Sequence, residues 1–368
     1  MQQTQRYSDF IAARKAEQIH RKLQTYDAGY LDFSSNDYLG LSRNGDVIEE
    51  GIKAAYVYGA GSTGSRLLSG NKLIFEEFES IIANDKKTES SLIFNSGFQA
   101  NAGVIDCLAD KDTLVVFDKL NHASMYQGVF ASSAKLVRYN HLDYDHLESI
   151  LKNSNARDVI IASETVFGMD GDFADMRALI DLSDKFGVLL YLDEAHATGL
   201  YGYQGYGLST DFEFDQQRTV IMGTFSKALG SFGAYVACST LIKNYIIQKC
   251  RSFIYATAIP PFCIGASMAA WKMLKSLEEV RKDLLAAAED LRRQLTASGL
   301  DVNGSGSNII PIMCDNVESM IMMKERCLSS GIIVSGITRP TVPTPRIRIA
   351  ITAHHSRDDI ERLRMALS

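Results

Sequence analysis

Short apolar runs that alternate with helix-like segments constrain this fold more than any other feature of the sequence. The runs between residues 90 and 224 are SSLIFNSG, DTLVVFD, AKLVRY, RDVIIASE, GVLLYLDEA and RTVIMGT. Near-continuous apolar strands separated by helices are typical of a parallel sheet that is covered on both faces. The sequence therefore predicts an α/β fold with a mostly parallel central sheet and helices on both of its faces.

The pattern changes after residue 263, where a smaller α+β domain is predicted. A long amphipathic helix is expected over 264–298, followed by the strand-like runs NIIPIM, GIIVSGI and PRIRIAIT and a closing helix. An exposed helix is also expected over 9–24. We therefore divide the chain into an N-terminal segment (1–45), a large domain (46–263) and a small C-terminal domain (264–368).

Composition excludes several classes of function. The 368 residues carry a net charge of −6, which argues against non-specific nucleic-acid binding, since that needs a basic surface. No apolar run reaches the roughly 20 residues of a membrane span, and the start does not read as a signal peptide. The six cysteines show no CxxC pairing, which predicts thiols in a reducing cytoplasm, and no spacing of ligands predicts a metal.

Polar residues follow the ends of several predicted strands. Ligands of open α/β sheets bind at the carboxyl ends of strands, where Asp193, His196, Thr224 and Lys227 all fall. A lysine there either extends to solvent or serves chemistry. A buried carboxylate there is costly unless it meets a positive charge, which could be an arginine or a protonated heterocyclic nitrogen.

A tight turn and a histidine complete the set. The stretch FNSGFQANAG places a turn with Gly97 between a strand and a helix, which presents free N–H groups to an anion. His122 is either a hydrogen-bonded core residue or an aromatic partner for a ligand. Lys227, Asp193, His122 and this helix start together match pyridoxal phosphate (PLP), because a lysine binds that cofactor covalently and an acid holds its ring nitrogen protonated.

Two other motifs suggest different classes of function. GAGSTG (59–64) fits the dinucleotide fingerprint as a string, but a helix precedes it where a strand is required, which excludes that interpretation. Ser65 and Arg66 stand where a phosphate-binding P-loop needs lysine and Ser or Thr. DEAH (193–196) resembles a helicase box, so a nucleotide-driven motor is the hypothesis from another class, although no P-loop lysine supports it.

The chain resembles the α-oxoamine synthases, a fold type I branch of PLP enzymes, along essentially its whole length. The motifs that carry the resemblance are NDYLGL (36–41), GSTGSRLLSG (61–70), GFQAN, NHAS, MDGD (169–172), DEAHATG and TFSKALGSFGAY. The resemblance implies that Gly97 and Phe98 contact the cofactor through their backbone. It also implies that His122 stacks on the ring, Asp193 pairs with the ring nitrogen and His196 reaches the phenolic oxygen.

The same resemblance implies the remaining contacts. Thr224 would bind the phosphate, as would Thr257 of the partner subunit, because the family forms homodimers with a shared active site. Arg21, Thr341 and Arg348 match positions that contact substrate in the family. The catalytic residues implied are Lys227, His122, Asp193 and His196.

Two positions depart from the family pattern. Gly168 stands where a serine usually touches the cofactor, so water or a neighbouring group would have to replace that contact. Arg66 stands where a smaller residue is common.

The resemblance implies a decarboxylative condensation of an amino acid with an acyl thioester. The tail RPTVPTPRIRIAITAHH (339–355) favours the family member of biotin synthesis, which joins L-alanine to a pimeloyl group on acyl-carrier protein or CoA. Glycine with acetyl-CoA is the alternative pair. Arg346 and Arg348 alternate along a predicted strand, and an arginine gives a carboxylate a planar, bidentate partner.

Overall fold

A computed structural model of the chain describes residues 2–27 and 29–367. In chain order its strands are β1 (Leu31–Asp32), β2 (Ser90–Phe94), β3 (Thr113–Asp118), β4 (Lys135–Tyr139), β5 (Asp158–Glu164), β6 (Leu189–Asp193), β7 (Thr219–Thr224), β8 (Ala234–Cys238), β9 (Ile309–Met313), β10 (Ile332–Ile333), β11 (Ser335–Ile337) and β12 (Arg346–Ala350). The six apolar runs between 90 and 224 therefore all form strands, as predicted.

Helices separate most of these strands. They are α1 (Gln2–Ala16), α2 (Gly45–Tyr58), α3 (Leu73–Asp85), α4 (Gly97–Leu108), α5 (Ala123–Ser132), α6 (Tyr144–Lys152), α7 (Met176–Phe186), α8 (Thr240–Lys249), α9 (Arg251–Ile254), α10 (Pro261–Met273), α11 (Glu278–Ala297), α12 (Val317–Ser329) and α13 (Arg357–Leu367). The N-terminal helix begins and ends earlier than the predicted 9–24. Within the described ranges, no helix is both long and apolar enough to cross a membrane.

The chain forms two compact units. The larger comprises 36–168 and 173–281, and the smaller comprises 1–35, 169–172 and 282–368. This division differs from the predicted one in two ways, because the first 35 residues join the smaller unit and residues 264–281 join the larger.

A seven-stranded sheet forms the centre of the larger unit, with strand order β2-β8-β7-β6-β5-β3-β4. All strands run parallel except β8, which pairs antiparallel with both β2 and β7. The predicted α/β fold with a mostly parallel sheet is confirmed. Strand β8 was not predicted, because its short run AYVAC follows a glycine-rich loop in which Gly233 takes a φ of 118°.

The predicted helix over 264–298 is in fact two helices. A short 3₁₀ turn, Leu274–Ser276, separates α10 from α11. Trp271 and Leu274 are fully buried in the larger unit, and the indole N–H of Trp271 donates to Asp85. The Arg281 guanidinium donates to the Leu274 carbonyl at 2.6 Å, which satisfies a carbonyl group of this turn.

Helices α2 and α10 approach each other closely within the larger unit. A side chain at Gly51 would collide with the ring of Phe262 at 2.8 Å, and one at Gly265 would collide with Ala54 at 2.6 Å. Glycine at both positions therefore permits the contact.

The smaller unit contains an antiparallel sheet of order β11-β12-β9 and a short parallel pair, β1 with β10. His355 stacks on Phe33 at 3.8 Å and hydrogen-bonds the Asp32 carbonyl at 3.1 Å. The N-terminal strand is thereby tied to the C-terminal part of the chain within this unit.

Candidate active site

Three neighbouring parallel strands end side by side in the larger unit. Strand β5 ends at Glu164 and β6 at Asp193, and these two residues are direct partners in register. Strand β7, on the other side of β6, ends at Thr224, three residues before Lys227. The edge predicted to bind ligand therefore carries carboxylates on two strands and a lysine just beyond the third.

The Asp193 carboxylate is buried and is held by two neutral donors. Its Oδ1 accepts from the backbone N–H of Ala195 at 2.8 Å, and its Oδ2 accepts from the side-chain amide of Asn101 at 2.7 Å. The pairing with a structural arginine that the sequence left open is therefore not among these contacts. Both of these donors are uncharged, so neither of them supplies a positive charge to the carboxylate.

The turn before α4 lies close to the end of β7. Ser96 caps the helix by accepting from the backbone N–H of Gln99, and a methyl group at Gly97 would lie 3.7 Å from Cβ of Thr224. The Thr224 hydroxyl donates to the Gly233 carbonyl at 2.8 Å. A phosphate here would meet the start of a twelve-residue helix, and Thr224 would have to exchange that hydrogen bond to bind it.

His196 is buried and is oriented by a residue that the sequence analysis did not select. Its Nδ1 lies 2.7 Å from the hydroxyl of Tyr38, which is fully buried. Its Nε2 faces Gly168, where an added Cβ would lie only 2.2 Å away. The imidazole therefore fills the space that a side chain at 168 would need, which gives a physical reason for glycine at this position.

Charges at the strand ends act on two further groups. Desolvation lowers the pKa of His122, the Asp193 charge opposes this shift, and the Lys227 charge adds to it. Burial raises the pKa of Glu164 to about 8; the Asp193 charge adds to this and the Lys227 charge opposes it. Asp193 and Lys227 are therefore close enough to influence both groups.

Glu164 makes the stability of the cofactor-free protein depend on pH. A carboxyl whose pKa rises on folding stabilises the fold fully below its unfolded pKa, and this contribution is lost as pH rises through about 8. We expect the melting temperature to fall between pH 5 and 8, and Glu164→Gln to remove most of that slope. Thermal melts across this range measure both.

A matched control for this prediction is Glu148→Gln. Glu148 pairs with Lys152 and Lys185, which lower its pKa, so its titration lies below this range. An unchanged slope in Glu164→Gln, or an equal loss of slope in Glu148→Gln, would contradict the assignment of the slope to Glu164.

The glutamate of the DEAH string has a structural role. Glu194 forms a fully buried ion pair with Lys86, and the same ammonium donates to the Tyr206 carbonyl and the Ser209 hydroxyl, each at 2.8 Å. The second oxygen of Glu194 accepts from the Ser209 N–H at 2.6 Å. These contacts account for the glutamate without a nucleotide.

Arg66 is likewise engaged within the larger unit. Its guanidinium pairs with Glu79 at 2.8 Å, hydrogen-bonds Asn71 and lies over the ring of Phe75 at 4.4 Å. Its departure from the family pattern is therefore accommodated by local packing.

The predicted substrate contacts lie in the smaller unit. Arg21 donates to the hydroxyl of Thr341 at 3.2 Å, so these two residues are neighbours. Arg348 is buried in β12, opposite Ser335 on one side and Pro311 on the other. Arg21 is exposed, in contrast to Arg348.

Arg346, two residues earlier on β12, is buried too. Its guanidinium pairs with Asp170 of the MDGD motif at 2.5 Å and contacts the Met169 carbonyl. Of the two arginines on this strand, Arg346 is thus engaged in a buried ion pair within the smaller unit.

The groups in the larger unit fit PLP chemically. A buried carboxylate held by two neutral donors suits a protonated ring nitrogen, a helix start suits a phosphate, and a lysine amine suits an aldehyde. The residues involved are Asp193, Gly97 and Lys227. Phe98, beside Gly97, is exposed. His122, which is expected to stack on the cofactor ring, is exposed too.

Comparison with known proteins identifies the family. A family model described as aminotransferase class I and II matches residues 28–367. This chain belongs to that family. A protein of Paramagnetospirillum magneticum, named "Putative 8-amino-7-oxononanoate synthase", is 44% identical to this member over 346 residues, which cover 92% of this chain and 87% of the relative.

Solved structures agree with that assignment. An 8-amino-7-oxononanoate synthase of Francisella tularensis matches this family member with a TM-score of 0.81 at 27% identity, over 93% of this chain and 97% of that one. A structure of serine palmitoyltransferase (SPT) with PLP matches with a TM-score of 0.86 at 27% identity, over 92% of this chain and 87% of that one. The protein is thus a PLP-dependent enzyme of fold type I, as the motifs predicted, and it is similar to proteins named 8-amino-7-oxononanoate synthase.

Proposed function

We propose that the enzyme condenses L-alanine with a pimeloyl thioester to give 8-amino-7-oxononanoate, carbon dioxide and free thiol. A C–C bond forms between Cα of alanine and the acyl carbon, the C–S bond breaks, and the alanine carboxylate leaves as carbon dioxide. The observation that carries the proposal is the 44% identity to a relative bearing that name. The acyl group is carried on acyl-carrier protein or on CoA.

Bound PLP supplies an electron sink for the charge that develops at Cα. We assign the Lys227 amine to hold the cofactor aldehyde and, once released by the amino acid, to take the Cα proton. The Asp193 carboxylate holds the proton at the ring nitrogen, which its neutral donors allow. His122 would cover the ring, and His196, whose Nδ1 lies against the Tyr38 hydroxyl, would contact the phenolic oxygen.

Thiol release with different substrate pairs tests the reaction. L-alanine with pimeloyl-CoA should give a higher kcat/KM than glycine with acetyl-CoA or serine with palmitoyl-CoA. A hydrophobic pocket separates substrates that differ by one methylene by about 1–3 kcal/mol, so the preference for alanine over glycine, tested with one acyl donor, should be about tenfold or more. A higher kcat/KM for glycine with acetyl-CoA would overturn the biotin assignment and leave the PLP chemistry intact.

We assign the amino acid carboxylate to Arg348, with Arg21 and Thr341 as further substrate contacts. Lysine cannot reproduce a bidentate pair, so Arg348→Lys is expected to raise the KM for alanine about tenfold or more with little change in folding. The matched control is Arg346→Lys, two residues away on β12, which should lower stability through its pair with Asp170. An unchanged KM in Arg348→Lys would contradict the assignment.

We further propose a homodimer in which a second copy covers an apolar surface of the larger unit. Ser65 bridges to Thr257, and Ala258 donates to the Gly64 carbonyl at 2.9 Å, which brings together exposed side chains around both segments. Those side chains are Leu67, Leu68 and Tyr255. A surface rich in large apolar side chains is typical of a protein contact.

The same surface borders the expected phosphate site. The side chain of Asn95, one residue before Ser96, donates to the Thr257 carbonyl at 2.8 Å. We assign Thr257 to the phosphate of the partner's cofactor, as in the family. Mixing Lys227→Ala with Thr257→Ala should restore part of the activity, whereas an active monomer in sedimentation would contradict a shared site.

We place the enzyme in the cytoplasm. All six cysteines are free thiols, and five of them are buried. Burial raises the pKa of Cys107 to about 12, which keeps it as an unreactive thiol. Such thiols suit a reducing compartment.

A further inference from the structure

We infer that Asn101 is a positioning residue that holds the Asp193 carboxylate and, through Ser124, fixes the tautomer of the His122 ring. The inference rests on the proposed cofactor roles of Asp193 and His122. It assigns to α4, which also begins at the expected phosphate site, a second task at the ring of the cofactor.

Every hydrogen-bonding group of the Asn101 side chain is used. One amide hydrogen points to Asp193 Oδ2 at 2.7 Å and the other to the Ser124 hydroxyl at 2.9 Å. The amide oxygen accepts from the Tyr191 hydroxyl at 2.8 Å. All four residues are buried, so an unmade bond in this group would not be replaced by water.

The carboxylate selects the orientation of the amide. An ionised carboxylate accepts only, so the NH₂ group of Asn101 must face Asp193. Burial raises the pKa of Tyr191 well above its usual value, so its hydroxyl keeps a proton to donate to the amide oxygen. Donor and acceptor thus match at both ends of Asn101.

The arrangement also determines which nitrogen of His122 carries the proton. Because the Ser124 oxygen accepts from Asn101, its own hydrogen is available to His122 Nδ1 at 2.7 Å. The backbone N–H of Ser124 points to the same nitrogen at 3.3 Å, since His122 caps α5. A nitrogen that receives two donors needs its lone pair, so the ring is neutral with its hydrogen on Nε2.

A neutral His122 suits its expected place against the cofactor ring. A protonated imidazole would set a second positive charge beside the ring nitrogen that Asp193 keeps protonated. Asn101 therefore acts on both residues that contact the cofactor ring. It holds the Asp193 carboxylate, and it keeps His122 neutral by directing the Ser124 hydroxyl toward Nδ1.

The test uses the full-length protein with ¹⁵N-labelled histidine, before and after addition of PLP. Asn101→Asp keeps the side-chain shape but puts a second carboxyl 2.7 Å from Asp193, where like charges make the pair retain a proton. We expect PLP affinity to fall about 10–100-fold and the His122 ¹⁵N signals to change. His122→Gln assigns the signals.

Ser124→Ala is the milder, matched variant, because it removes the link through Ser124 to His122 but keeps the hydrogen bond between Asn101 and Asp193. It should alter the His122 signals while PLP affinity falls less than in Asn101→Asp. Wild-type affinity and wild-type His122 signals in both variants, with only the melting temperature changed, would overturn the inference. If the wild-type protein fails to bind PLP, the proposed function is wrong. The ¹⁵N signals of His122 in the PLP-free protein would still show its tautomer and the change of that tautomer in Ser124→Ala.

Discussion

Asp193→Asn is expected to lower kcat roughly 100-fold while PLP affinity falls less. The change removes the charge that keeps the cofactor ring nitrogen protonated, and a charge-assisted hydrogen bond is worth about 1.5–3 kcal/mol. It also leaves an amide between two donors, the Ala195 N–H and the Asn101 amide, and no orientation satisfies both. Steady-state kinetics and PLP titration measure the two effects separately.

A paired substitution separates the charge from the hydrogen bond. Asp193→Asn combined with Asn101→Asp keeps one carboxylate and one amide in contact but exchanges their positions. We expect this double variant to recover melting temperature relative to Asp193→Asn without recovering kcat. Near-normal turnover in either variant would show that Asp193 acts only in the structure.

Lys86→Met is expected to cause the largest loss of stability. It leaves the Glu194 carboxylate buried without its ion pair, and breaking such a pair costs about 3–5 kcal/mol. Burial lowers the pKa of Lys86, which the Glu194 charge opposes, so the ammonium depends on its partner as well. Urea unfolding of the single variants and of Lys86→Met with Glu194→Gln gives the coupling energy.

The neighbouring lysine provides the matched control. Lys87 is exposed and donates to the Thr210 carbonyl at 2.8 Å. The loss of stability in Lys87→Met should therefore be much smaller than the loss in Lys86→Met. Because Glu194 follows Asp193 directly, loss of the pair should also weaken PLP binding. Equal stability in Lys86→Met and wild type would contradict the importance of this ion pair.

The site residues at the strand ends could be predicted because each strand is a short apolar run that a polar residue ends or follows. A parallel sheet brings the carboxyl ends of its strands to one edge, so Asp193 and Lys227 could be selected from short apolar runs alone. The groups that orient the selected residues could not be found in this way. Asn101 meets Asp193 across 92 residues and Tyr38 meets His196 across 158, and such contacts follow from the folded chain and not from local spacing.

Local patterns also misled at two places in the fold. The amphipathic spacing of the sequence continues across residues 274–276. The helical periodicity therefore did not reveal the break between α10 and α11. Strand β8 has five buried residues but begins just after Gly233, and its antiparallel pairing was hidden by the glycine-rich loop. Glu164 ends a predicted strand as Asp193 does, so its position could have been noticed from the same argument.

Borohydride reduction of the PLP-loaded protein tests the central claim most directly. Reduction locks the cofactor onto the amine that holds it, and peptide mass analysis then identifies the residue. In the wild-type protein we expect a phosphopyridoxyl group on Lys227. The Lys227→Ala variant should show neither this label nor turnover. The control variant Lys119→Ala, at an exposed lysine, should keep both the label on Lys227 and turnover. A label on another lysine, with turnover persisting in Lys227→Ala, would contradict this claim.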